Sequence, residues 1–198
     1  MTKAEIRFWG VRGSIPVPGR KTMKFGGNTA CVEISYGDDI IICDAGTGIR
    51  PLGESIIRRY PHGGFKAAIL LSHIHWDHYF GFPFFRPLYN SKNVFLLGGP
   101  KSSNGSFSSA IRHAMQPPYF PIPISAIPSK LNIATIPEKK FQVGKIEVIP
   151  FAVNHPQGAF GWRFNFPNGK SLVHVTDNEP GGEILRKKIV SVSAGADV

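Results

Sequence analysis

An α/β sandwich is the fold class this sequence predicts, and three observations carry it. Apolar runs of strand length fall into two groups, with helical patterns interspersed among them. Gly37-Asp38 and Asn168-Gly169 are turn pairs that tolerate positive φ and join strands into hairpins. No internal repeat, low-complexity linker or composition break divides the 198 residues, so they read as one domain with a sizeable core. Pattern alone leaves a doubly wound sheet open as the alternative.

Taken in order, Ala4 to Trp9 alternates and opens the fold as a strand, before a Gly- and Pro-rich loop through Gly19. Ala30 to Tyr36 and Asp39 to Cys43 are the arms of the first hairpin. The second arm runs into Asp44-Ala45-Gly46-Thr47-Gly48, where small residues allow close backbone approach. Ile49 to Tyr60 sets Leu52, Ile56 and Ile57 near one face and Arg58 and Arg59 off it, an amphipathic helix that Pro61-His62-Gly63-Gly64 stops. Lys66 to Leu71 (KAAILL) is a buried strand. Asn93 to Leu97 is another, followed by Gly98-Gly99-Pro100 and a Ser/Gly loop. Ser106 to Met115 is a short helix carrying His113, a surface histidine on this reading. Gln116 to Ser129 holds five prolines, which excludes helix and central strand. It is a wall packed on the core or a lid, and a pocket wall is favoured. Leu131 to Ile136, Lys145 to Val153, Gly161 to Phe166 and Ser171 to Thr176 complete the strands, and Glu183 to Val190 is helical.

The chemistry concentrates in Ser72 to Phe85, SHIHWDHYFGFPFF. His73, His75, Asp77 and His78 fall within six residues directly after a core strand, and imidazole with carboxylate is a donor mix that zinc and similar cations accept. Residues two apart on a turn can converge on one ion. The His-Glu-x-x-His helix of metalloproteases is absent. His155 follows IEVIPFAVN and Asp177 follows SLVHVT, so both stand at strand ends that a sandwich brings to one rim. The aromatic residues of Tyr79 to Tyr89 read mostly as core.

Composition narrows the setting. Hydrophobic residues make up 42%, and no apolar run approaches the roughly 18 residues of a membrane helix. MTKAEIRFWG lacks an apolar signal stretch. Cys31 and Cys43 are too few for a disulfide framework. A cytoplasmic protein without a membrane partner is expected. The net charge of +10 suits small anionic substrates such as phosphate esters, and a solvated basic surface is the alternative. No nucleic-acid-binding motif accompanies it, so a nucleic-acid partner is unsupported by motif. A homodimer stays open.

His73-Ile74-His75-Trp76-Asp77-His78 resembles the H-x-H-x-D-H signature of the metallo-β-lactamase-fold hydrolases. The resemblance extends through FWGVRGSIPVPG, FGGNTACVEI, ICDAGTGIRPLG, NHPQGAFGWRF and HVTDNE, in the expected order. It is greatest to the phosphodiesterase-type branch related to ribonuclease Z and the phosphoribosyl cyclic phosphodiesterases. It implies an αββα sandwich and two divalent cations, zinc first and manganese or iron as alternatives. It also implies that His73, His75 and His155 bind one metal, that Asp77 and His78 bind the second, and that Asp177 bridges them. Asp44 would then hydrogen-bond and orient a ligand; as a plain strand-end Asp it could cap the following helix, and both roles could hold.

The activity implied is phosphodiester hydrolysis by a hydroxide held between two metals, with Asp77 placed among the catalytic groups. No Ser-His-Asp or Cys-His arrangement argues for a side-chain nucleophile. Thiolester hydrolases and sulfur dioxygenases share the motif and are the enzymatic alternative; a metal-binding or sensor domain without turnover is the other. By the same resemblance the second metal is one ligand short, because no histidine follows Asp177. His174 is the nearby substitute, yet strand parity should turn it away from Asp177. Residues 1–198 are therefore expected to be truncated at the C-terminus, with further strand, helix and a final ligand histidine to follow.

Overall fold

Two sheets face each other across an apolar seam, and helices cover both outer faces. The computed structural model describes residues 2–101 and 105–198; the Ser/Gly loop after Pro100 lies partly outside them. The first sheet has six strands in sequential order: β1 (Ala4–Gly10), β2 (Cys31–Tyr36), β3 (Asp39–Cys43), β4 (Lys66–Leu70), β5 (Val94–Gly99) and β6 (Lys130–Thr135). Pairing is antiparallel through β3 and parallel from β3 to β6. The second sheet is antiparallel, in the order β10 (Ser171–His174), β9 (Ala159–Asn165), β8 (Ile146–Val153), β7 (Phe141–Val143).

Strand β3 shows why its sequence is apolar without alternation. Ile41 and Cys43 enter the seam, while Ile40 and Ile42 face the helical layer. A strand covered on both faces needs apolar residues at every position. The seam joins Val32, Ile34, Ile41 and Leu70 to Ile146, Val148, Trp162 and Phe164. Each such side chain taken from water contributes about 1.5–3 kcal/mol before entropy is counted. On the outer face of the first sheet, α1 (Ile49–Arg59) buries Ile49, Leu52 and Ile56, and α3 (Phe107–Ala114) buries Phe107 and Ile111. The Ser106 hydroxyl caps α3 by accepting from the Ser109 N–H. On the other side α4 (Glu183–Ser193) places Ile189 and Val192 against Phe151, Val153 and Ala159. The layers are thus α, β, β, α. No described helix is long and apolar enough to cross a membrane.

Boundaries differ from the sequence reading in two informative ways. β7 is three residues long, too short for a periodic signal. β10 stops at His174 rather than Thr176, so parity does not extend to Asp177. The Pro-rich stretch 116–129 carries only a single 3-10 turn, Ile124–Ala126, and otherwise follows the core irregularly.

Strand ends converge at one rim. There the Asp44 N–H continues the ladder to the Leu70 carbonyl at 3.0 Å, and the Leu71 N–H does the same to Gly98 at 2.8 Å. The Phe160 N–H donates to the Ser72 carbonyl at 2.9 Å, fastening the second sheet to the end of β4.

Candidate metal centre

Four strand ends supply the site. Asp44 follows β3, Ser72 and His73 follow β4, His155 follows β8, and Asp177 lies three residues beyond β10. The remaining groups sit on a turn that becomes α2 (Trp76–Tyr79), a single helical turn carrying Asp77 and His78. This turn rests on the Asp44-Ala45-Gly46 backbone: the Ala45 N–H donates to the His78 carbonyl at 2.7 Å, and the Gly81 N–H to the Ala45 carbonyl at 2.9 Å. A Cβ on Gly46 would lie 2.1 Å from the Asp77 carbonyl oxygen. The close approach anticipated for the small residues is therefore an approach to the histidine-bearing turn itself.

Two donor groups form, and they share one residue. His73, His75, His155 and Asp177 each present a ligand atom within 4.8 Å of the others; Asp77, His78 and Asp177 do the same. Asp177 Oδ2 is 3.7 Å from His73 Nε2, 3.7 Å from His155 Nε2 and 3.5 Å from His78 Nε2. His155 Nε2 is 3.1 Å from His75 Nδ1, and His78 Nε2 is 3.4 Å from Asp77 Oδ2. Donors around a tetrahedral ion with bonds of about 2.0–2.1 Å stand roughly 3.3–3.4 Å apart. These separations are mostly long for hydrogen bonds and close to that value. The Nε2 atoms of His73 and His78 are buried and have no hydrogen-bond partner, a costly arrangement that a cation in each donor group would relieve. The donor set fits divalent metal.

Behind the donors, Asp44 and Ser72 set ring orientation. The buried Asp44 carboxylate accepts from the Ser72 N–H at 2.7 Å, from the Ser72 hydroxyl, and from His78 Nδ1 at 2.8 Å. An ionised carboxylate only accepts, so Nδ1 of His78 carries the proton and Nε2 is turned to the site. Ser72 Oγ, its own hydrogen given to Asp44, is 3.0 Å from His73 Nδ1 and accepts from it. Asp44 does not cap α1; that position is Gly48 and has no side-chain cap bond. Sequence reading had no signal for three other contacts. Gln157 Oε1 is 2.7 Å from His75 Nε2, Glu179 Oε1 is 3.6 Å from His155 Nδ1, and the Ser14 N–H donates to Asp77 Oδ2 at 2.8 Å.

The electrostatics follow from this packing. Burial, reinforced by the charge of His78, brings His73 down to about 3, so its ring is neutral. Burial would also lower His78, but the Asp44 carboxylate, its hydrogen bond, Asp77 and Asp177 outweigh that and push it up to about 9. Burial alone would raise Asp44; the opposing pull of His78 and their hydrogen bond holds it below the usual carboxylate value.

His174 corrects the sequence reading. Because β10 ends there, it does not diverge from Asp177: both line one cavity of about 200 Å³, together with Asp44, His78 and Arg12. It is nevertheless outside both donor groups. His113 and His62 also stand apart from them among the described residues. Cys31 and Cys43 are free and buried, and burial raises both thiols well above their ordinary value.

A sequence relative of the chain is Ribonuclease Z of Pyrococcus abyssi (strain GE5 / Orsay), 27% identical over 205 residues. That match covers 95% of this chain and 59% of the relative, so the chain spans less than two thirds of its length. Among solved structures, the metallo-beta-lactamase fold protein YhfI from Bacillus subtilis superposes with a TM-score of 0.67 at 12% identity, over 98% of this chain and 69% of that one. Unliganded yeast PDE1 gives 0.65 at 15%, over 98% and 71%, and the short form of human tRNase Z gives 0.63 at 17%, over 98% and 76%. At those identities the likeness is one of fold. The profile of the Beta-lactamase superfamily domain matches residues 40–194. That span contains every donor of both groups, and the chain belongs to the beta-lactamase superfamily.

Proposed function

We propose that this protein is a metal-dependent phosphodiesterase, with His73, His75 and His155 holding one divalent ion, Asp77 and His78 the other, and Asp177 both. The observation that carries this reading is the pair of donor groups overlapping at Asp177. Ions held there would supply Lewis acidity toward a phosphoryl oxygen and toward the attacking water. The chain's own residues do the rest. Asp44 fixes His78 directly and His73 through Ser72, while the Ser14 N–H holds Asp77 in place. Arg12 lines the cavity beside His78 and Asp177, and Lys101 lines a second hollow beside His73 and His75. Cations on both flanks, with a net charge of +10, favour an anionic substrate. The relative named Ribonuclease Z and the fold neighbour named PDE1 support phosphodiesters as the substrate class.

The test is hydrolysis of bis(p-nitrophenyl) phosphate by the purified protein, before and after chelation and after return of zinc or manganese. Turnover that chelation abolishes and metal restores is expected. Absence of turnover under every metal, or turnover on a thiolester alone, would overturn the proposal.

A further inference from the structure

An aromatic cleft opens beside the donor groups, and no step described above uses it. It encloses about 530 Å³, within the range of small-molecule sites. One wall is the turn that carries the metal motif: Ile74, Trp76, Phe80 and Phe84. The other is α3 with the Pro-rich segment: Ala110, Ala114, Tyr119 and Phe120. Four of these rings are exposed, Trp76 at 79%, Tyr119 at 67%, Phe80 at 55% and Phe84 at 51%. The expectation that the aromatic residues after the motif are mostly core holds for only half of its phenylalanines. Phe82 and Phe85 are fully buried, and Phe80 and Phe84 are not.

The arrangement of rings is specific. Phe84 meets Phe120 edge to face at 5.8 Å, and Phe80 lies 6.4 Å from Phe84. The alanines opposite leave room between the walls. Among the described residues no Lys, Arg, Asp or Glu lines the cleft; His113 and the tyrosines provide its polar edges. Ile74 belongs both to this cleft and to the small hollow formed with His73, His75 and Lys101. A ligand crossing Ile74 would therefore pass from an uncharged aromatic surface to a cationic, metal-binding one.

We propose that the cleft stacks a planar aromatic ring carried on the phosphodiester substrate, a nucleobase or an aryl group. The inference deepens the phosphodiesterase reading and rests on it for the position of the phosphate. Every base or aryl ring has a π-face, and stacking on an aromatic side chain is worth about 1–3 kcal/mol by alanine substitution. That is about fivefold to a hundredfold in affinity. A bilayer would call for a flat or convex apolar patch, whereas these rings line a recess beside the donor groups.

Two measurements test it. Adenosine and p-nitrophenol, neither of which carries phosphate, are titrated separately while tryptophan fluorescence is followed. Saturable quenching by either, lost in Trp76→Phe and weakened about fivefold to a hundredfold in Phe84→Ala and Tyr119→Ala, is expected. Which probe binds tells base from aryl group. No saturable quenching by either at millimolar concentration, or quenching only by phosphatidylcholine vesicles, overturns the proposal. Separately, kcat/KM is compared for thymidine 5′-(p-nitrophenyl phosphate) and methyl p-nitrophenyl phosphate, which share a leaving group. With a base in the cleft the thymidine ester should be preferred and Phe84→Ala should shrink that ratio; with the shared aryl group there, Phe84→Ala should lower kcat/KM for both esters, while Ile184→Ala, on an exposed face of α4, changes neither. Turnover in which Phe84→Ala alters neither the ratio nor kcat/KM for either ester sinks the cleft and spares the phosphodiesterase. Probe binding without any turnover does the reverse.

Discussion

His78 Nδ1 lies 2.8 Å from Asp44 Oδ2, and both side chains are almost wholly buried. This one contact links the first hairpin to the turn bearing the metal motif. It also decides which nitrogen of His78 faces Asp177. Asp44 itself sits at φ 61, a backbone region few L residues adopt, so the strand end is bent to bring the carboxylate under the ring. A partner of this kind typically accounts for 10–100-fold in metal affinity. Asp44→Asn should weaken metal binding by about that factor, measured by chelator competition, because an amide can present its NH₂ to His78 and release the ring. Unchanged metal affinity would show that the ring is held by packing alone.

In metal-free protein this pair, together with His73, makes stability depend on pH in two directions. His78 is raised to about 9, so its contribution is complete below its unfolded value near 6.5 and is lost as pH rises through 9. His73 is lowered to about 3, so its contribution is complete above 6.5 and declines as pH falls toward 3. Asp44 is lowered too, and adds to the loss at the acid end. Thermal melts of chelated protein should therefore peak near neutrality and fall on both sides. Asp44→Asn should flatten the alkaline limb, and a limb unaltered by it would contradict the assignment.

Much of the site was legible because its residues stand at the ends of strands that periodicity locates well. The hairpin around Gly37, the strand before Ser72 and the strands before His155 and Asp177 each end within a few residues of their expected boundaries. What escaped was long-range placement. Tyr119 and Phe120 come to Phe84 through a proline-rich segment whose path follows no period. Gln157 reaches His75 from a turn residue at φ 63, a conformation that Gln does not advertise. The parity argument for His174 failed because it extended a strand past its last ladder bond.

Asp77 is tied twice, to the loop after β1 through the Ser14 N–H and to the donor group through Asp177 and His78. Asp77→Ala removes a donor without touching the seam between the sheets. Turnover should fall by orders of magnitude, with circular dichroism unchanged. Near-wild-type turnover would exclude a two-ion reaction.

His155 and His113 offer a paired control. His155 Nε2 is 3.1 Å from His75 Nδ1 and 3.7 Å from Asp177 Oδ2, whereas His113 faces Tyr119 at a ring distance of 5.4 Å in the aromatic cleft. Elemental analysis should show metal lost in His155→Ala and retained in His113→Ala. Equal loss in the two would mean that the first donor group is wrongly drawn.

Gly46 is the position where backbone packing and the donor groups are least separable. A Cβ there would stand 2.1 Å from the Asp77 carbonyl oxygen and 2.4 Å from Thr29 Oγ1. The first of these is backbone and cannot rotate away. Thr29 is also committed, since its hydroxyl accepts from the Thr47 N–H at 2.8 Å. Gly46→Ala must therefore push the Asp44–Gly46 segment away from the turn carrying Asp77 and His78. Overpacking of this kind costs about 1–3 kcal/mol and occasionally more, so the melting temperature should drop. The displacement should open the Asp77–His78–Asp177 group more than the three-histidine group, whose His155 stands on the other sheet. Titration with manganese or zinc should then retain one tight site and weaken the other. A variant that lost stability but bound both ions as tightly as wild type would show that the two donor groups do not depend on this contact.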